Sequence, residues 1–473
     1  MHKTVVINVV GLTSAMLNST MPRLTAFMYR GALASIKTSL PAVTCSMQTT
    51  FLTGCQPGEH GIVGNGWYFR DECTVKFWQQ AASLVQRPRI WEQARALDEN
   101  FTCANLFWWY NMYAPVEYMV TPRPMYPADG RKLADIYTRP ADLRGRLQAA
   151  LGQFPLFNFW GPGSSLAASR WIAEAAQMLE KYYDPTLTLI YLPHLDYCLQ
   201  RYGPHADCIE GDLRELDALC GELLDFYAAH GARIIFLSEY GIMPVARAIH
   251  LNRELRKYGL LAIREEQGHE LLDAGASAAF AVADHQIAHV YVNDARRMAE
   301  VGRLLRSIDG VEQVLDVEGK RAFGLEHARS GDFVVVAAPN AWFSYYYWLD
   351  DKRAPDYART VDIHRKPGYD PVELFVDPSL RFPRLTIGRK LLQQRLGLRS
   401  LLDVIPLDAS LVRGSHGRVA EAPEYMPVLL TQFPELLEEP TLEATQVSSL
   451  ILQHLLHEPK AKPVPIRLKA DIA

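Results

Sequence analysis

At 473 residues, 49% hydrophobic and 22% charged, the chain has the composition of a soluble globular protein, long enough for one large α/β domain or two smaller ones. A formal net charge of −4 gives no global reason to expect a nucleic-acid or anionic-membrane partner, so any phosphate binding must be local. Seven scattered cysteines without a C-x-x-C pair argue against a disulfide framework or a cysteine-rich zinc site, and point to a reducing cytoplasm.

The run "TVVINVV" (4–10) predicts a buried strand that starts almost at once, too short for a secretory apolar region and without a cleavage site. No run approaches the ~18 uncharged apolar residues that a membrane span requires. Next, "PAVTCSMQTTFLTG" (41–54) puts Thr44 ahead of a helix-like run that stops at Gly54. A hydroxyl there is well placed to cap a helix, and equally well placed to meet an anion at the positive end of the helix dipole. From 65 to 165 the chain is rich in aromatics ("GNGWYFRD", "LFWWYNMYA", "FPLFNFWGP"), with one strand-like run at "FTCANLFW" (101–108). This stretch, and a second one at 341–378, predict insertions that form a lid or pocket wall.

Helical periodicity at 168–183 and 211–231 alternates with apolar runs at 187–193 and 232–238, and further strands are expected at 288–292 and 332–339. Runs apolar throughout belong to strands covered on both faces, so the pattern predicts an α/β fold of three layers around a largely parallel sheet. In such sheets chemistry gathers beyond the carboxyl ends of the strands, which selects the segments after Val10, Pro193 and Ser238 and the helix start at Thr44. Residues 441–473 are expected to form a C-terminal helix and a Pro- and Lys-rich, loosely ordered tail.

"PAVTCSMQTTFLTGCQPGEHGIVGNGWYFRD" resembles the nucleophile region of the type I phosphodiesterase/nucleotide pyrophosphatase family of the alkaline phosphatase superfamily. The likeness spans about thirty consecutive residues at several fixed spacings, far more specific than a lone motif. Weaker echoes follow at "YLPHLDYCLQRYGP", "LSEYGIMPV" and "GSHG". The resemblance implies an alkaline-phosphatase-like fold over residues 1–440 and a hydrolase of phosphodiester, pyrophosphate or phosphomonoester bonds. Thr44 would attack phosphorus, and Asn65 would help hold the phosphate oxygens.

The resemblance also implies a divalent metal, zinc, flanking the nucleophile. One ion of the pair would lower the pKa of the hydroxyl, and the other would stabilise the leaving oxygen. Matched by position, the ligands are only partly present. Val10 stands where the family has its first Asp, Gln200 and Tyr240 replace two histidines, and Glu239 replaces an Asp. Asp196 and His416 match the pattern outright, leaving Asp196, Glu239 and His416 as the metal set, with fewer than two full sites.

Other residues offer substitutes: Asp362, His364 and Asp370, or His194 beside Asp196, as ligands. His285 and His289 stand four apart, but on an expected strand, which would spoil their convergence. Arg123, Arg131, Lys132, Arg365 and Lys366 are candidate phosphate contacts, and Trp67, Tyr68, Trp108 and Trp109 are candidate stacking partners for a base, although a surface or core role is the commoner fate of each. The expected partner is a small phosphorylated substrate, with no nucleic acid and no membrane span. Three outcomes stay open: a threonine-based hydrolase with an altered metal site, a single-metal or metal-independent phosphoryl transferase, and a non-catalytic relative that binds a phosphorylated metabolite or a partner protein.

Overall fold

The computed structural model describes residues 1–457 apart from 129, 130, 397 and 399, so the tail expected to be loosely ordered, 458–473, lies outside the described residues. A nine-stranded sheet runs in the order Thr441–Glu443, Ala32–Lys37, Val428–Thr431, Arg233–Leu237, Thr4–Val9, Leu187–Leu192, Cys103–Leu106, Tyr118–Pro122 and Ile136–Arg139. Thr4–Val9 is its middle strand. All six residues are buried, and it pairs in parallel with both neighbours, Val6 lying opposite Leu189 and Ile235. Antiparallel pairing is confined to Val428–Thr431 and to the edge strand Ile136–Arg139.

Two groups of helices cover the sheet. Pro22–Arg30, Leu166–Tyr183 and Glu210–Ala229 pack on one another, while Gln446–Leu456 packs on Thr44–Thr53 and Ile90–Leu97. This is the three-layer α/β arrangement that the alternation of strands and helices predicts. Three strands of the sheet, Cys103–Leu106, Tyr118–Pro122 and Ile136–Arg139, fall inside the aromatic-rich stretch 65–165, which is therefore sheet as well as wall.

The expected strands near 288–292 and 332–339 form, but not in the parallel sheet. Ile287–Val292 and Phe333–Ala337 belong to a second, four-stranded antiparallel sheet with Ala279–Asp284 and Val311–Leu315. The cause is local: only His285 and Gln286 separate Ala279–Asp284 from Ile287–Val292, and two residues can join only antiparallel strands. His285 opens this turn at φ 62°, where positive φ matches the twist of a hairpin. Residues such as Phe280, Val290, Val334, Tyr345 and Trp348 build a second hydrophobic core around this sheet, distinct from that of the nine-stranded one. Its hairpin tip reaches the carboxyl edge of the main sheet.

Candidate active site

The helix Thr44–Thr53 is buried at every position and ends at Gly54 in the left-handed region, φ 70°. Val43, extended, takes the cap position, and no side chain caps the helix. The Thr44 hydroxyl is therefore free for another partner, and it meets the Tyr240 hydroxyl at 3.1 Å. Tyr240 arrives from the loop after Arg233–Leu237, and its hydroxyl lies 3.3 Å from Asp196 Oδ1. Asp196 sits in the first turn of His194–Tyr202, directly after Leu187–Leu192. Three strand and helix ends thus bring Thr44, Tyr240 and Asp196 into one hydrogen-bonded row.

His416 completes the row. Its ring lies flat on that of Tyr240, 3.5 Å between centroids at an interplanar angle of 7°, and its Nε2 is 3.9 Å from Asp196 Oδ1. His416 Nδ1 is 2.8 Å from the Ala42 carbonyl, which fixes the proton on Nδ1 and leaves Nε2 as a bare, buried acceptor. Burial drives its pKa down to about 3, so the ring is neutral.

Glu239 adjoins the row, within hydrogen-bonding reach of the Thr44 hydroxyl. Its Oε1 accepts from the Asn8 amide at 2.5 Å and the Gln48 amide at 2.6 Å. Gln48, one turn after Thr44, also accepts the Trp109 backbone N–H at 2.7 Å, so it joins the helix Thr44–Thr53 to the aromatic-rich segment. Gln200 donates to Asp196 Oδ2 at 2.7 Å and pairs with the Tyr369 hydroxyl at 3.1 Å. Burial pushes the Asp196 carboxyl up to about 7 and that of Glu239 up to about 8, against the pull of these amide and hydroxyl donors.

Asn65 does not point its amide simply at the place a phosphate would take. Its Oδ1 accepts the Cys45 backbone N–H at 3.0 Å, and its Nδ2 donates to Asp284 Oδ1 at 3.0 Å, while its own N–H meets Asp284 Oδ2 at 2.8 Å. It is a strut between the first turn of the helix Thr44–Thr53 and the hairpin tip of the second sheet. His285, next in that tip, lies between His416 (3.6 Å between centroids) and Tyr369 (3.7 Å). His289 turns away, to the Val63 carbonyl and the Gly331 N–H, so the two histidines do not converge.

Two of the basic candidates are used elsewhere. Lys366 is buried between Asp370 and Glu373, 2.7 Å from each, and Arg365 pairs on the surface with Asp356 at 3.2 Å. Among the described residues, no partner in the hydrogen bonds and ion pairs of Thr44, Asn65, Asp196, Glu239, Tyr240 and Asp284 is a lysine or arginine. Beside this buried acidic cluster Trp78, Trp109, Trp160 and Tyr369 form a chain of rings, with centroids 4.9 Å (Trp78 to Trp109), 6.0 Å (Trp78 to Tyr369) and 5.4 Å (Trp160 to Tyr369) apart.

This donor set does not fit a pair of zinc ions. Val10 is buried and apolar, Gln200 is committed to Asp196 and Tyr369, and Tyr240 puts a phenol where the family pattern has an imidazole. A single ion would find Asp196 and His416 Nε2. Among the described residues, however, no group of three or more His, Cys, Asp or Glu side chains is arranged to hold a metal ion.

Asp284 gives a test of how this cluster is held. Burial raises its carboxyl from 3.8 to about 7, so its contribution to stability is full below pH about 4 and is lost as pH rises to about 7. The loss is roughly 4 kcal/mol for about three pKa units. Urea denaturation of Asp284→Asn, whose side chain does not titrate, should show the variant less stable at pH 4 and the gap to wild type closing toward pH 8. Buried His454, depressed to about 4, and other neutral histidines slope the opposite way over the same range, so only the difference between the two proteins isolates Asp284. Parallel curves would refute this assignment.

Asn8, Gln48, Asp284 and Tyr369 were not among the candidates read from the sequence. Only Gln48, at i+4 from Thr44 on the same helix, carried a usable signal.

A sequence profile of the type I phosphodiesterase/nucleotide pyrophosphatase family matches residues 4–370. An uncharacterized pyrophosphatase/phosphodiesterase of Schizosaccharomyces pombe is 24% identical over 219 residues, 44% of this chain and 38% of that relative's length. In structure, phosphonoacetate hydrolase from Sinorhizobium meliloti, in complex with phosphonoformate, superposes with a TM-score of 0.61 at 17% identity over 96% of both chains. Murine ectonucleotide pyrophosphatase/phosphodiesterase 5, in complex with AMP, gives 0.57 at 14% identity over 98% of this chain and 96% of the other. At these identities the two structures speak for a shared alkaline-phosphatase-like fold. Among the described residues, no helix is long and apolar enough to cross a membrane.

Proposed function

Because the chain belongs to the type I phosphodiesterase/nucleotide pyrophosphatase family, we propose that it cleaves a phosphoester or phosphoanhydride bond with Thr44 as the attacking group. The observation that carries this reading is the Thr44 hydroxyl itself. It stands at the first residue of a buried helix, relieved of capping by Val43, and is hydrogen-bonded to Tyr240. The helix dipole favours an anion at that end, and one amide hydrogen of Asn65 remains for a phosphate oxygen. Divalent metals typically serve this family. The residues present here do not fit the zinc pair, so no step is assigned to one.

Charge selects the substrate class. Burial holds the three carboxyls of the site protonated up to about pH 7 to 8, and above that range, where they are ionised, a phosphodiester with one negative charge enters at lower electrostatic cost than a dianionic monoester. Bis(4-nitrophenyl) phosphate is therefore the appropriate probe, and should turn over faster than 4-nitrophenyl phosphate. Acid quenching during turnover, followed by peptide mass spectrometry, should locate a phosphoryl adduct on Thr44. A protein that neither releases nitrophenolate nor accumulates the adduct is a binding protein rather than a hydrolase.

A further inference from the structure

The residues that fail to fit a metal pair form an arrangement of their own. The Tyr240 oxygen lies 3.1 Å from Thr44 Oγ1 and 3.3 Å from Asp196 Oδ1, so one hydroxyl bridges the nucleophile and a carboxylate. Its ring is clamped flat against His416, and His285 packs on the far side of that imidazole. Gln200 holds the other oxygen of Asp196, and Tyr369 holds Gln200. The phenol is thus fixed in direction, because both its ring plane and its acceptor are set by neighbours.

Resting on the assignment of Thr44 as the attacking group, we propose that Tyr240 replaces metal activation. The Thr44 proton passes to the Tyr240 oxygen while the Tyr240 proton passes to Asp196 Oδ1, with no bound metal ion taking part. The direction follows from the hydrogen bonds: the Tyr240 hydroxyl donates to Asp196 Oδ1, so its oxygen is left to accept from Thr44. As the proton moves, the Thr44 Oγ1–P bond forms and the P–O bond to the leaving group breaks, the leaving group taking the electron pair. Water then attacks the phosphothreonine and loses a proton to solvent. The Thr44 oxygen recovers its proton along the same path, from Asp196 through Tyr240. Carboxylate, phenol and hydroxyl thus return to their starting state each cycle. Tyr240 contacts the reacting oxygen and is catalytic in this scheme, whereas Gln200 and His416 are positioning residues.

The experiment takes the full chain, dialyses it against a chelator, measures its metal content by inductively coupled plasma mass spectrometry and follows turnover of bis(4-nitrophenyl) phosphate. Turnover should persist with metal far below one ion per chain. Tyr240→Phe, which keeps the stacked ring, should lower kcat by about 10²- to 10⁴-fold with KM little changed, the range typical of a lost proton-transfer group. The solvent deuterium isotope effect on kcat should also shrink in the variant, a change that loss of packing alone does not produce. Activity that disappears on chelation and returns with zinc overturns the proposal, as does a Tyr240→Phe variant with wild-type kcat. If Tyr240→Phe fails to fold, Asp196→Asn, near in shape and unable to take the proton, carries the same expectation. Thr44→Ala separates the two readings. Full turnover in that variant removes the nucleophile assignment and the relay with it. An inactive Thr44→Ala beside a fully active Tyr240→Phe removes the relay alone.

Discussion

Thr44→Ala is expected to lower kcat for a phosphodiester probe by about 10³-fold or more, since no second route restores a lost covalent nucleophile. The fold should survive. The cap position belongs to Val43, so the substitution removes no capping bond, and each hydrogen bond it deletes, to Tyr240 or Glu239, is worth about 1 kcal/mol. Tyr240 keeps Asp196 as a partner and is not left buried and unsatisfied. Circular dichroism and the urea midpoint should therefore match wild type closely while the phosphoryl adduct disappears. Thr44→Ser, which keeps the hydroxyl, should retain a measurable adduct. A Thr44→Ala protein that turns over at the wild-type rate would show that another group attacks phosphorus. One that is inactive only because it unfolds would show that the helix start depends on this hydroxyl.

The parts of this site legible in the sequence are those delivered by a single short segment. Thr44 follows from the run that leads into its helix. Asp196, Glu239 and Tyr240 follow from the rule that residues just past a strand's carboxyl end face the ligand, and the two strands concerned flank Thr4–Val9 directly. His416 was readable from "GSHG" through the family resemblance alone, and in the structure the pairing of Gly414–Ser415 with Met243–Pro244 sets it beside the loop that carries Tyr240. What could not be read depends on contacts between distant segments. Asp284 and His285 reach the site only because the second sheet turns its hairpin tip toward the first, and nothing in "AVADHQIAHV" announces that orientation. The two apolar runs near 288–292 and 332–339 were legible as strands, but an apolar run does not say which sheet it joins. Asn8 lies inside a strand whose other residues read as plain core, and its partner, Glu239, is 231 positions away. That Gln200 and Tyr240 stand where the resemblance implies histidines was visible in the sequence. That Tyr240 would lie between Thr44 and Asp196 was not, since the geometry depends on His416 holding the ring flat.

The aromatic wall rests on a charge, and Lys366→Met is expected to cost about 3 to 5 kcal/mol, the range for breaking a buried ion pair from one side. Lys366, Asp370 and Glu373 are each at most 5% exposed, and the ammonium lies 2.7 Å from both carboxylates. Burial alone would lower the Lys366 pKa, yet the two carboxylates outweigh it and hold the pKa above its ordinary value, so the lysine is charged. Removing it leaves two carboxylates buried against each other, with only the Trp160 indole at 2.5 Å and the Asp362 and Val372 backbone N–H groups to hold them. The neutral triple variant Lys366→Met, Asp370→Asn, Glu373→Gln should recover much of the loss, because the cost lies in uncompensated charge rather than in missing contacts. The effect should also reach the site. Tyr369 sits inside this loop, its ring on His285 and its hydroxyl on Gln200, and Trp160 links Glu373 to the same ring. Loosening the triad therefore frees Gln200, and with it the orientation of Asp196. In urea denaturation Lys366→Met should show the full loss, and in kinetics of whatever folds, kcat should fall along with stability. Restored stability in the triple variant without restored kcat would show that the triad's charge matters to the chemistry directly, and not only through the position of Tyr369.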